Sequence, residues 1–282
     1  MNRLGVLGKD ISYSLSPEIH KNFASEHGTI IDYQIYDIPN DPVMFINDFF
    51  KHGGKGLNIT QPYKEIVAKE YGDSFRSVNC LYGNPVQAVS TDGRGLISDL
   101  KSKMINIESK EILVWGMGGA GLSIACELSK NKKIFVANRT SQKLEDVKKY
   151  LNNVEIYAQQ PVDLVVFCIQ DLDDESINQI KNINLLKDAI FYDINYKNDT
   201  INMLKGLGLV QHMNFYDGLG MLVEQAAESY NLWFNFYPTT EPVKKILYES
   251  FYYLVDRCYF MEFWLFNSIT IRRCYCSSNK KN

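Results

Sequence analysis

Glu111-Ile-Leu-Val-Trp-Gly116-Met-Gly118-Gly119-Ala-Gly121 decides how this chain folds. The apolar run Ile112 to Trp115 reads as a buried strand. The glycines after it fit G-x-G-x-x-G, and Leu122 to Lys130 continues with helical periodicity. At such a turn, glycines let backbone N–H groups and the positive end of a helix approach a pyrophosphate that a Cβ would push away. Strand, spacing and helix in this order make a dinucleotide-binding turn, with Gly116, Gly118, Gly119 and Ala120 as its contact residues.

The next strand, near 133–138, ends in Asn138-Arg139-Thr140. A fold that selects NAD carries a carboxylate near this point for the ribose 2′-hydroxyl. Here Arg139 offers a planar fork for a 2′-phosphate, Thr140 and Ser141 add hydroxyls, and Lys143 adds positive charge, so NADP(H) is the expected cofactor. Strands near 154–158, 163–169 and 189–194 continue the alternation and give a Rossmann-like α/β domain over residues 103–212.

Upstream, strands at Leu4–Leu7, Ile31–Ile38 and Leu57–Thr60 alternate with helices at Pro17–Glu26, at Pro42–His52 and from Pro62. Two short runs flanking Gly83-Asn84-Pro85 read as an antiparallel hairpin, so residues 1–102 are expected to form a mixed-sheet domain. After Asp217-Gly-Leu-Gly, one helix through Phe234 and another from about Pro242 to Leu254 make up residues 213–257, expected to pack back on the first domain. Residues 258–282 form a tail of unknown role, whose apolar run is too short to span a bilayer.

The 282 residues, 45% apolar, suffice for two cores. A formal charge of -3 with no basic stripe excludes nucleic acid as a partner. The N-terminus enters a strand without a charged leader or cleavage site, so a cytoplasmic protein with no membrane partner is expected, monomeric or homodimeric. Six scattered cysteines read as reduced thiols. Cys274 and Cys276 have no second ligand pair among the four histidines, so no metal is expected.

Chemistry concentrates in two upstream segments. In Ser12-Tyr-Ser14-Leu-Ser16-Pro17, Pro17 takes the first helical position and Ser16 the N-cap; capping leaves Ser14 unexplained, and two hydroxyls at a helix N-terminus also seat a carboxylate. In Asn58-Ile-Thr60-Gln-Pro62-Tyr-Lys64, Thr60 reads as a cap for the helix entered at Pro62. Asp92, in Ser90-Thr91-Asp92-Gly93, gives Lys64 an acidic partner. A lysine and an aspartate at a pocket floor make a proton relay, and with a hydride-delivering fold next to them they read as a dehydrogenase for a small polar alcohol or ketone.

In order along the chain, Ser14-Leu-Ser16-Pro17, Asn58 to Lys64, Val78-Asn79, Thr91-Asp92-Gly93, Gly116 to Ala120, Asn138-Arg139-Thr140, Asp193-Ile-Asn-Tyr196 and Gly218-Leu-Gly-Met221-Leu-Val-Glu-Gln225-Ala226 resemble the motifs of the shikimate dehydrogenase family over about residues 3 to 256. The resemblance implies NADP-dependent, reversible reduction of 3-dehydroshikimate to shikimate, in chorismate and aromatic amino acid biosynthesis. It implies that Lys64 and Asp92 are the catalytic pair and that Ser14, Ser16 and Tyr196 hold the substrate carboxylate. Thr60, Asn79, Asp92 and Gln225 would hold the ring hydroxyls, while Gly218 and Met221 would lie by the cofactor. Such a site is expected to be rich in neutral donors and acceptors, with little apolar lining. Tyr13, Cys80, Ser90 and the segment Val165 to Gln170 depart from the family pattern. Alternatives within reach of the sequence are a quinate/shikimate dehydrogenase with relaxed specificity and a catalytically silent paralogue that binds NADP(H) or shikimate.

Overall fold

The computed structural model describes residues 1–72, 77–169, 173–196 and 214–250, together with Leu204, Gly206 and Gly208. The expected boundary at 212/213, Gln170 and the tail 258–282 lie outside the described residues.

The N-terminal half alternates as the sequence suggests: β1 (Asn2–Gly8), α1 (Ser16–His27), β2 (Ile31–Asp37), α2 (Pro42–Lys51), β3 (Gly54–Ile59) and α3 (Lys64–Tyr71). Next come β4 (Cys80–Tyr82), β5 (Gln87–Val89) and α4 (Asp92–Ser102). β1 pairs in parallel with both β2 and β3, and Gly83 at φ 81° turns the chain so that β4 and β5 join antiparallel. The result is a mixed five-stranded sheet of order β2-β1-β3-β4-β5. β1 and β3 are the central parallel strands. Their buried runs, Leu4 to Gly8 and Gly56 to Ile59, suit a sheet covered on both faces.

A second sheet is built from β6 (Ile112–Trp115), α5 (Gly119–Leu128), β7 (Ile134–Ala137), α6 (Ser141–Tyr150), β8 (Val154–Ile156), β9 (Val162–Phe167), α7 (Asp174–Lys181), β10 (Leu185–Asp193) and β11 (Asn214–Tyr216). Among the described residues it has six strands in the order β11-β10-β9-β6-β7-β8, all parallel. The order reverses between β6 and β9, where a parallel sheet opens the crevice that holds ligands.

α8 (Leu219–Phe234) returns to the first sheet. It buries Met221, Val223, Ala226, Ala227, Tyr230 and Trp233; each large apolar side chain removed from water contributes about 1.5–3 kcal/mol. Trp233 Nε1 donates to Leu81 O at 3.1 Å, fixing the helix on β4. α4 and α8 approach closely because a Cβ at Gly95 would collide with the Gln225 backbone and one at Gly220 with the Asp99 carboxylate. Both sheets and α8 belong to one compact unit, residues 1–240. The second expected C-terminal helix is present over residues 241–250. No described helix is long and apolar enough to cross a membrane.

Candidate active site

Lys64 is the first residue of α3, two positions later than the sequence suggests. After β3 the turn is held by Thr60 N donating to Leu7 O at 2.9 Å and by Tyr63 N donating to Thr60 O at 2.9 Å. Tyr63, buried, donates its hydroxyl to Ile38 O at 2.6 Å. Thr60 is therefore not the cap; Tyr63 holds that position without a side-chain cap bond, and the Thr60 side chain lines the cavities instead.

Lys64 Nζ donates to Asp92 Oδ2 at 2.6 Å, and the two side chains are 17% and 6% exposed. Asp92 opens α4, where the helix dipole favours an anion. Its second oxygen accepts from Asn79 Nδ2 at 2.8 Å. The same Asn79 amide reaches Thr91 Oγ1 at 3.0 Å and Gln225 Oε1 at 3.1 Å, while Asn79 Oδ1 accepts from Thr91 N at 2.7 Å. Lys64 of α3 and Asn79 beside β4 thus hold the two oxygens of one carboxylate on α4, and Gln225 of α8 meets that Asn79.

Beneath this floor Asn58 Oδ1 accepts from the Tyr33 hydroxyl at 2.8 Å and from His20 Nε2 at 3.1 Å. Its amide donates to Asn79 O at 3.2 Å and Ser229 Oγ at 2.9 Å. The acceptor on Asn58 assigns the proton of His20 to Nε2 and leaves its buried Nδ1 without a partner among the described residues. Burial drives the His20 pKa from 6.5 to about 3 against the opposing Asn58 bond, so the ring is neutral, stacked on Tyr33 at 4.5 Å.

The floor belongs to a cavity of about 660 Å³ lined also by Ser14, Ser16, Thr60, Tyr196 and Gln225. Ser16 was expected to cap α1. Leu15, in helical conformation, holds the cap position without a side-chain bond, so the helix begins at Ser16. The Ser14 hydroxyl lies 3.2 Å from that of Ser16 and accepts from Ser16 N at 3.3 Å. Burial, and secondarily Tyr13, raises the Tyr196 pKa to about 12, which keeps its phenol a neutral donor. Val6, Ile11, Ile59, Ile194, Met221 and Leu222 also line the cavity, a larger apolar share than a hydroxyl-rich ligand suggested. Gly218 and Met221, expected beside the cofactor, line this cavity and not the second. A Cβ at Gly218 would collide with the Ile194 backbone.

The second cavity, about 700 Å³, shares Thr60, Gln61, Pro62, Lys64, Ala120, Ile194 and Asn195 with the first and extends over Gly118, Gly119, Asn138, Arg139, Thr140 and Lys143. α5 starts here from Gly118 with no side-chain cap, so its first-turn N–H groups keep the capacity to bind a phosphate. A Cβ built on Gly118 meets nothing within 4 Å, and the residues present fit a dinucleotide. Gly116, at φ 100°, and Gly121 serve the turn itself, since a Cβ on Gly121 would collide with Gly116 O. Asn138 ties the two turns together, accepting from Met117 N at 2.9 Å and donating to Thr140 O at 3.2 Å. Arg139 Nη1 donates to Asp173 Oδ2 at 2.8 Å, and Lys143 Nζ lies 3.8 Å from Glu65.

Sequence reasoning missed Asp173, Glu65, His20, Tyr33 and Ser229. Asp173 carried a signal: it caps α7, accepting from Ser176 N at 2.8 Å, and an aspartate followed by the acidic Asp174 and Glu175 announces a helix start. The others carried none, since partners far apart in sequence leave no spacing to read. Among the described residues no group of three or more histidines, cysteines or carboxylates is placed to hold a metal ion.

A parallel sheet with a glycine-rich helix entry, opening onto a cavity whose floor is a buried lysine–carboxylate pair, defines a dinucleotide-dependent oxidoreductase. Residues 6–75 match the family model for the shikimate dehydrogenase substrate binding domain and residues 218–248 that for the shikimate 5′-dehydrogenase C-terminal domain. The chain is 34% identical over 258 residues to shikimate dehydrogenase (NADP(+)) of Idiomarina loihiensis, covering 82% of this chain and 91% of that protein. It is 34% identical over 262 residues to the enzyme of the same name from Legionella pneumophila strain Corby, covering 86% and 97%. The crystal structure of shikimate dehydrogenase from Aquifex aeolicus superimposes with a TM-score of 0.72 at 26% identity, over 85% of this chain and 95% of that one. This chain belongs to the shikimate dehydrogenase family.

Proposed function

We propose that this protein is an NADP-dependent shikimate dehydrogenase that reversibly reduces 3-dehydroshikimate to shikimate, a step toward chorismate and the aromatic amino acids. The observation that carries the reading is the Lys64 ammonium, 2.6 Å from Asp92 and on the wall common to both cavities. In this reading residues 1–102 hold the substrate and residues 103–212 the cofactor. Ser14, Ser16 and Tyr196 offer hydroxyl donors to the substrate carboxylate. Thr60, Asn79, Asp92 and Gln225 meet the ring hydroxyls. The glycine-rich entry to α5 and the Arg139, Thr140 and Lys143 side chains hold the phosphates of NADP(H).

When bound, NADPH supplies the hydride. Lys64 hydrogen-bonds the substrate carbonyl oxygen, stabilises the negative charge that develops there and gives it a proton. Asp92 aims the ammonium, and Asn79 fixes Asp92 by its other oxygen. The same reading makes the enzyme cytoplasmic and a monomer or homodimer.

The test is turnover of shikimate with NADP+, followed by nicotinamide absorbance, with quinate and NAD+ run in parallel and Lys64→Ala as control. Turnover with shikimate and NADP+ that vanishes in the variant is expected. Equal use of quinate would replace the reading with a broader dehydrogenase, and binding of both ligands without turnover would replace it with a silent paralogue.

A further inference from the structure

Arg139 is the cation that a ribose 2′-phosphate needs, and it is already engaged by Asp173. Asp173 is anchored where it stands. As the N-cap of α7 it accepts from Ser176 N at 2.8 Å, and the side-chain and backbone bonds from Ser176, helped by Arg139, hold its carboxyl down to about 2. It is therefore an anion at any working pH, and turning it away would uncap α7. The other cations lining this cavity are matched too, Lys143 by Glu65 and Lys64 by Asp92. A region expected from its sequence to be an open basic seat is close to charge balance.

The two dinucleotides meet this arrangement differently. A 2′-phosphate brings nearly two negative charges to a guanidinium whose other side faces a fixed carboxylate. A 2′-hydroxyl brings a donor, for which the same carboxylate is an acceptor, the role a carboxylate at the end of the second strand plays in NAD-selective folds. Here that end carries Arg139, and the acid comes from the start of α7. We infer that Asp173 is a specificity-determining residue that weakens the preference of this enzyme for NADP(H) over NAD(H). The guanidinium bridges both anions, so the 2′-phosphate still binds, against a repulsion that Asp173 maintains. This rests on the proposed function only in taking the second cavity as the dinucleotide seat.

Asp173→Asn removes the charge while keeping a good cap, and Asp173→Ser does so with a shorter side chain. Calorimetric titration of the full-length protein with adenosine 2′,5′-bisphosphate and with adenosine 5′-monophosphate isolates the 2′ group without requiring turnover. Both variants should bind the bisphosphate about ten-fold more tightly, as removal of one like charge a few ångströms away in a solvated site dictates, and the gain should shrink as salt is raised. The monophosphate should bind no more tightly than in wild type, and the ratio of NADP+ to NAD+ affinity should rise in parallel. An unchanged ratio in a variant that melts as wild type does would overturn the inference. Loss of shikimate turnover in the wild type would instead overturn the proposed function, and the two failures are read in separate assays.

Discussion

The Lys64–Asp92 and Arg139–Asp173 pairs are of similar length, 2.6 and 2.8 Å, but they sit in opposite surroundings. Asp92 is 6% exposed, its second oxygen is held by Asn79, and Asn79 is itself tied to Thr91 and Gln225. Arg139 and Asp173 are 64% and 45% exposed, and Asp173 is held only by its bonds to Ser176, at the start of its own helix, and to Arg139. A buried, multiply bonded pair keeps its geometry because breaking it strands a charge out of water, whereas an exposed pair is worth at most about 1 kcal/mol and exchanges partners readily. The Lys64–Asp92 floor is built in advance; the Arg139 end is open enough to take a second anion beside the one it already holds.

The largest effect should come from breaking the buried side. Asp92→Asn turns an amide N–H toward the ammonium and should lower kcat about 10²- to 10³-fold, with substrate affinity falling far less. If steady-state kinetics show KM rising as much as kcat falls, the aspartate acts through its bond to the ring hydroxyl and not by orienting Lys64.

His20 tests whether the layer beneath is equally fixed. Its folded pKa, about 3, lies below the ordinary 6.5, so the unfolded chain takes up a proton first. The stability that this provides is complete above pH 6.5 and should fade by roughly 3 kcal/mol between pH 6.5 and 4. Urea unfolding across that range should show a flatter pH dependence in His20→Gln; parallel slopes would remove His20 from the account.

On the exposed side the expectations shrink. Arg139→Gln should raise the KM for NADP+ about ten-fold, leave that for NAD+ nearly unchanged, and reduce the salt dependence of NADP+ binding. Glu65→Gln, which frees Lys143 from a 3.8 Å pair, should alter stability by less than about 0.5 kcal/mol, within reach of a careful thermal melt. A larger loss would mean that this pair behaves like the buried one.

Local physics explains what was legible in the sequence. The strand, glycine turn and helix at 112–128 and the hairpin at 80–89 are each specified by adjacent residues, and the structure has them within a few positions. The pairing of Lys64 with Asp92 was also readable, through ordered motifs. Helix starts were less so: Ser16 and Thr60 both have cap-forming side chains, but Leu15 and Tyr63 take the cap positions because the turns before them are fixed elsewhere, the first by Ser14 N donating to Ile11 O and Ile11 N to Asp37, the second by Thr60 N donating to Leu7 O of β1 and by Tyr63 reaching Ile38. Least legible were the partners of the cations. Nothing in the spacing of Arg139 and Asp173 reveals that β7 and the start of α7 bring them together.

The first sheet depends on a piece of chain made much later. Asn58 meets Ser229 across 171 positions, and Leu81 meets Trp233 across 152. Leu4, Val6, Tyr33 and Cys80 are covered in part by that tryptophan. During synthesis the strands of this sheet would therefore leave the ribosome with an apolar face still uncovered, and it would stay so until α8 had followed them out. Such a nascent segment calls for a chaperone or a slow, forgiving collapse. A truncation that stops before α8 should give not a smaller working fragment but an aggregating one.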